Sequence, residues 1–137
     1  RLGDHVILTQ SLGSSIADAA TTVVSGGPLL VENGRVNVRT AEEQMAPDIA
    51  RGRAPRTAVG LKPDGTLLML VVDGRSSASA GMTLAELAQY FVKLGAVSAV
   101  NYDGGGSSEM VINGKIVNKP SDGRERLVSI GLGLFIK

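Results

Sequence analysis

The run Asp103-Gly104-Gly105-Gly106-Ser107-Ser108 places a carboxylate, three side-chain-free backbone positions and two hydroxyls in immediate succession. It follows Asn101-Tyr102 and the apolar, β-type run Ala96-Val97-Ser98-Ala99-Val100, so the carboxylate sits where a buried strand leaves the core. Glycines let the backbone come close to a ligand, and successive free N–H groups in such a bend can form a concave anion-binding nest. A site for a phosphate or a polyol is the chemistry this implies. A second acid, Asp73, ends another apolar run, Leu70-Val71-Val72. If the two strands are parallel, both carboxylates leave at the same C-terminal edge, where open sheets bind ligands. Two carboxylates in different surroundings can then divide acid and base roles. Arg56, Arg75, Arg124 and Arg126 cluster around the same features and offer bidentate donors to phosphate or carboxylate.

Each of these residues also has a plainer reading. An Asp-Gly after a strand makes a turn, which is the ordinary role for Asp73 taken alone. Isolated arginines are surface charges as a rule, and Glu86 has the spacing of a helix cap. His5 is the only histidine and there is no cysteine, so neither a metal role nor a serine triad is expected of it. The glycine run is not a P-loop, because no Lys-Ser/Thr follows at the required spacing and a hairpin, not a helix, comes next. The missing helix rules out a dinucleotide fingerprint as well.

The elements that must position these groups are legible from periodicity and punctuation. His5 to Gln10 reads as a strand and Ser14 to Val24 as a short helix entered from Ser14 or Ser15. Leu29-Leu30-Val31 and Arg35 to Val38 flank Asn33-Gly34, a hairpin signal. Thr40 to Pro55 is polar, with two prolines, and reads as a long surface loop with at most one helical turn. Thr57–Leu61 and Thr66–Val72 are strands about a Lys62-Pro63-Asp64-Gly65 turn. Thr83 to Leu94 is a helix: Thr83 and Glu86 form a capping box, Leu84, Leu87, Ala88 and Phe91 share a face, and Gly95 closes it. With the strand Ala96–Val100 it completes a βαβ unit. Glu109 to Ile112 and Lys115 to Val117 form a second Asn-Gly hairpin, and Leu127 to Lys137 reads as a last long strand. The expected fold is α/β or α+β: a mixed sheet, one principal helix, several hairpins and a ligand site at strand ends.

Composition bounds the rest. A chain of 137 residues fits one domain. Its hydrophobic content of 43 % and charged content of 20 % fit a packed core and not a disordered tail. A net charge of +1 gives no long-range pull toward nucleic acid or an anionic membrane. Aromatics at 3 % leave no base-stacking surface. No apolar run reaches the ~18 residues of a membrane span, and the opening residues do not read as a signal peptide. The opening Arg1-Leu2-Gly3-Asp4, in a strand-forming context, reads as an internal piece of a longer protein. No oligomeric state follows from the sequence.

Six segments in order resemble the phosphodiester glycosidase family. This is the family of N-acetylglucosamine-1-phosphodiester α-N-acetylglucosaminidase and of many bacterial envelope and exopolysaccharide-associated proteins. The segments are Gly26-Gly27-Pro28-Leu29-Leu30 with Asn33-Gly34, Pro55-Arg56-Thr57-Ala58-Val59-Gly60, Val72-Asp73-Gly74-Arg75, Gly81 to Leu87, Asn101 to Ser108, and Arg124-Glu125-Arg126-Leu127-Val128. Two departures stand out: an upstream segment with an Asn-Gly-Gly-Phe/Tyr-Phe-like motif is lacking, and Leu127 stands where the family often has Pro. The resemblance implies hydrolysis of a sugar-1-phosphate diester and an extracellular or envelope location. Under it, Arg56, Arg75 and Arg126 would hold the phosphate. Asn101, Gly104, Gly105, Gly106, Ser107 and Ser108 would take phosphate or sugar oxygens. Asp103 and Asp73 would be the acid/base or nucleophile pair. The expected partner is a glycan or sugar phosphate, with no cofactor. Two alternatives stand beside this: a non-catalytic module binding anionic polysaccharide, and a hard divalent cation held by Asp103, Ser108 and carbonyls.

Overall fold

In the computed structural model, residues 14–21 and 23–135 are described. A short helix α1 (Ser15–Ala19) precedes the hairpin β1 (Leu29–Glu32) and β2 (Arg35–Val36). The polar loop holds one helical turn, α2 (Pro47–Ala50). Strands β3 (Arg56–Leu61) and β4 (Leu67–Val72), helix α3 (Leu84–Lys93) and strand β5 (Ser98–Asn101) follow. A single 3-10 turn spans Gly105–Ser107, and β6 (Val111–Ile112) with β7 (Lys115–Ile116) closes the series as a separate two-stranded ribbon.

The main sheet has the order β2-β1-β5-β3-β4. Every neighbouring pair in it is antiparallel, so the architecture is α+β and the sheet is not mixed pair by pair. The reason is the place of β3, which the sequence pattern does not show. It lies between β4 and β5 and runs against both. Strands β4 and β5 are thereby parallel to one another across it, and their C-terminal ends share the edge at which β3 begins. The βαβ unit exists with a strand inserted in its middle.

Helix α3 forms where the sequence says it must. Thr83 Oγ1 accepts from Glu86 N (3.2 Å) and Glu86 Oε2 accepts from Thr83 N (2.9 Å), satisfying two donors at the helix start. Gly95, at φ +85°, takes the left-handed position past its end. Leu84, Leu87, Ala88 and Phe91 are buried and join Leu30, Val31, Ala58, Ala96 and Ala99 in the core. Phe91 packs directly on the sheet because Gly60 has no side chain: a Cβ there would meet the ring at 2.6 Å. The opposite sheet face carries Leu61, Leu67 and Met69, all exposed.

The Asn-Gly hairpins are as expected, with Asn33, Gly34, Asn113 and Gly114 all at positive φ. The last expected strand is not formed: residues 127–135 take no strand and pair with nothing among the described residues. Val128, Ile130, Leu132 and Leu134 do alternate, yet all four are exposed, and alternation without a partner makes no ladder. The expected strand His5 to Gln10 lies outside the described residues.

Candidate functional site

The site is built around the backbone of Ala54 and Pro55, immediately before β3. Arg56 pairs with Val72 and Ala58 with Asn101, so Asp73 and Asp103 both leave the sheet beside the start of β3. The turns that carry them pack on the same dipeptide. A Cβ on Gly74 would come within 2.8 Å of Pro55 N, and one on Gly104 within 2.8 Å of Pro55 O. Gly81 abuts the carbonyl of Ala54. Gly105 N donates to Pro55 O (3.0 Å), and Ala54 and Met82 exchange a pair of backbone hydrogen bonds (3.2 and 3.1 Å). Glycines of two loops, Gly74 and Gly81 between β4 and α3 and Gly104 after β5, are thus closed onto one point, as the lack of a side chain permits. The same-edge placement of the two acids expected from the sequence is what the coordinates show.

The arginines differ sharply. Arg56 is 3 % exposed, and its guanidinium donates to Met82 O (3.0 Å), Ile49 O (3.2 Å) and Gly52 O (3.1 Å). It is spent on tying the α2 loop and the turn before α3 to the start of β3. Burial lowers its pKa from the ordinary arginine value, and the neighbouring charge of Arg75 lowers it further. Arg75 is exposed, with φ +56°. Its Nη1 and Nη2 lie 3.1 and 3.2 Å from where a Cβ on Gly105 would stand, so the guanidinium rests on the glycine bend. It has no hydrogen-bond or ion-pair partner among the described residues. Arg126 Nη1 lies 3.8 Å from Asp122 Oδ2, and the Asp122 carboxylate covers Gly106, so Arg126 reaches the bend through an acid. That half-exposed pair contributes at most about 1 kcal/mol. Arg124 lines an open groove of about 360 Å³ with Asn118, Lys119 and Glu125.

The two acids also differ. Asp73 Oδ1 accepts from Asn118 Nδ2 (3.0 Å) and Lys119 N (2.9 Å), and its backbone carbonyl accepts from Ser79 Oγ (2.6 Å). Asp103 is exposed and makes no hydrogen bond or ion pair among the described residues. Between them, the glycine bend is less open as a nest than its composition implies. Gly105 N, Ser107 N and Ser108 N already donate to Pro55 O, Gly104 O and Gly105 O. Asn101 is 3 % exposed; its Nδ2 donates to Gly27 O (2.9 Å) and Tyr102 O (2.7 Å), while Oδ1 has no partner among the described residues. Ser108 is 1 % exposed and its Oγ is likewise unpartnered. Ser107 is half-buried. Among the described residues no group of three or more His, Asp or Glu is arranged to hold a metal ion, and no helix is long and apolar enough to cross a membrane.

Sequence reasoning does not find Asn118 or Asp122. Both act on residues brought near by folding, and neither carries a local signal beyond following a hairpin and a proline. The assembled edge presents a free guanidinium, a free carboxylate and a tethered carboxylate around a glycine bend. That arrangement can neutralise a phosphate and supply a proton acceptor or nucleophile beside it.

Residues 2–135 match the phosphodiester glycosidase family. An SPbeta prophage-derived protein of Bacillus subtilis, YomE, is 42 % identical over 90 residues, covering 66 % of this chain and 14 % of that protein. N-acetylglucosamine-1-phosphodiester α-N-acetylglucosaminidase of Bos taurus is 45 % identical over 67 residues, covering 49 % of this chain and 12 % of the enzyme. The catalytic domain of the zebrafish enzyme of that name, auto-inhibited by its pro-peptide, superposes with a TM-score of 0.62 at 30 % identity, over 72 % of this chain and 34 % of that one. The chain spans between 12 % and 21 % of the length of the curated relatives it matches.

Proposed function

Because this chain belongs to the phosphodiester glycosidase family, we propose that its strand-end site hydrolyses a sugar-1-phosphate diester. The observation that carries the reading is Arg75: an exposed guanidinium, without a partner among the described residues, resting on Gly105 at the edge where both Asp73 and Asp103 leave the sheet. Arg75 takes a non-bridging phosphate oxygen, with Arg126 as a second cation once Asp122 yields to the substrate. Ser107 and the outer face of Gly104–Gly106 meet phosphate or sugar oxygens. Asp103 and Asp73 share the work at the anomeric carbon, one as nucleophile or base and one as acid. A phosphate is a good leaving group, so charge stabilisation outweighs proton donation to it. Arg56 acts from beneath by fixing the Pro55 backbone on which the turns close.

We also place the substrate among cell-envelope or exopolysaccharide glycans, outside the cytoplasm. Support comes from the family's resemblance to envelope and exopolysaccharide-associated proteins and from the anionic, hydroxyl-rich ligand the edge suits. The test is turnover of an N-acetylglucosamine-1-phosphodiester of a simple alcohol by the intact protein. Release of the free sugar is expected, and Asp103→Asn should cut kcat on the order of 10²-fold or more. Binding without turnover by the wild type, or full activity of Asp103→Asn, contradicts the reading.

A further inference from the structure

Asn118 is the most fully engaged side chain at this edge. Its Oδ1 accepts from Met110 N (2.8 Å), and its Nδ2 donates both to Ser108 O (3.0 Å) and to Asp73 Oδ1 (3.0 Å). An amide has one acceptor oxygen and two donor hydrogens, and here the oxygen and both hydrogens are used. The three partners belong to three pieces of chain: the ribbon β6–β7, the end of the glycine bend and the end of β4. The ribbon itself is short and exposed, and it is closed at this point by Val117 N donating to Met110 O (2.9 Å). The neighbouring Lys119 N donates to the same Asp73 oxygen (2.9 Å).

Both donors therefore converge on Oδ1 of Asp73, and Oδ2 is left without a hydrogen bond among the described residues. A carboxylate held through one oxygen has its plane and its second oxygen fixed. A carboxylate held only by its own χ angles does not. We infer that Asn118 is a positioning residue for the proposed hydrolysis: by locking Oδ1 of Asp73 it presents Oδ2 as that acid's working oxygen, and by holding Ser108 O it sets the distance between Asp73 and the glycine bend. This rests on the reading of the edge as a sugar-1-phosphodiester site. It adds to that reading a residue 45 positions from Asp73 in sequence, and it divides the labour: Asp103 is free to move with the substrate, and Asp73 is not.

The test is a double-mutant cycle in the intact protein, with kcat, KM and melting temperature measured for wild type, Asn118→Ala, Asp73→Ala and the double variant on the phosphodiester named above. Asn118→Asp is added as the isosteric change. It keeps the acceptor for Met110 N but sets an acceptor against Asp73 and Ser108 O. Acting through Asp73, Asn118→Ala should lower kcat by on the order of 10²-fold with KM changed less than about threefold. In the Asp73→Ala background it should lower kcat no further. Asn118→Asp should regain activity as pH falls, because a shared proton restores a donor between the two carboxyls. Equal losses in both backgrounds, or a loss wholly in KM, overturns the assignment, as does an Asn118→Asp variant with unchanged kcat at all pH values. Failure of the functional reading shows differently: wild-type protein without turnover. A variant that merely misfolds is recognised by its melting temperature, and Asn118→Asp then carries the test.

Discussion

Arg56 and Arg75 lie close enough for one charge to act on the other, yet one is foundation and the other is rim. Arg56 is held by the carbonyls of Ile49, Gly52 and Met82, one to each of its three nitrogens. Arg75, past the end of β4, meets a bare glycine and, among the described residues, no acceptor. The residue type is the same; what differs is whether folding brings acceptors to it. A guanidinium whose three nitrogens each hold a carbonyl ties a fold together, and one whose nitrogens are uncommitted can hold a ligand. The acids repeat the contrast, with Asp73 tethered and Asp103 free. The edge is therefore a rigid frame carrying a few uncommitted groups, the form a site needs to meet a transition state without reorganising.

The largest expected effect is on the frame. Arg56→Ala removes the three charge-assisted hydrogen bonds that tie the α2 loop and the turn before α3 to β3, and should cost about 3–5 kcal/mol of stability, read from urea unfolding. Arg56→Lys recovers only part of this, because an ammonium cannot span the three carbonyls in the planar fork of a guanidinium. On the rim, Arg75→Ala should leave the urea midpoint nearly unchanged and lower kcat/KM by on the order of 10²–10³-fold. A reversed result, with Arg75→Ala unfolding the protein and Arg56→Ala merely inactive, breaks the division.

The smallest effect belongs to the cap of α3. Donation from Thr83, with Arg53 adding a smaller attraction, holds Glu86 below its ordinary 4.5. A carboxylate depressed by folding contributes stability that is present above its unfolded value and lost as pH falls through its folded value. Glu86→Gln should therefore flatten the acid side of the stability curve, below about pH 4.5, and leave the neutral side with a small constant loss. Urea midpoints across that range read it out, and an unchanged acid slope contradicts it.

How much of this the chain announces beforehand follows the range of the interactions. Helix α3 is legible because Thr83, Glu86 and Gly95 are local signals, and the hairpins because Asn33-Gly34 and Asn113-Gly114 need only their own backbone. The shared edge of Asp73 and Asp103 is legible through the crossover helix. The insertion of β3 is not, since antiparallel and parallel pairing both suit apolar runs. Residues before a strand look alike whether buried or not, so Arg56 reads as one more cation until the carbonyls around it are known. Asn118 is silent for the same reason, its acid lying in another element. The glycines are legible as a site but for a partly different cause: Gly74 and Gly104 are needed for close approach to Pro55, and much of the bend's N–H capacity is used within it. The alternation from Val128 to Leu134 is a true β pattern whose ladder partner no described residue supplies.

The most direct measurement is a crystal structure of the intact protein with a sugar-1-phosphate bound. The account predicts the phosphate in hydrogen-bond contact with Arg75 over Gly105, the anomeric carbon facing both Asp73 and Asp103, and Arg56 still on its three carbonyls. A phosphate bound elsewhere, with Arg75 untouched and the two acids on opposite sides of the ligand-free surface, would contradict it.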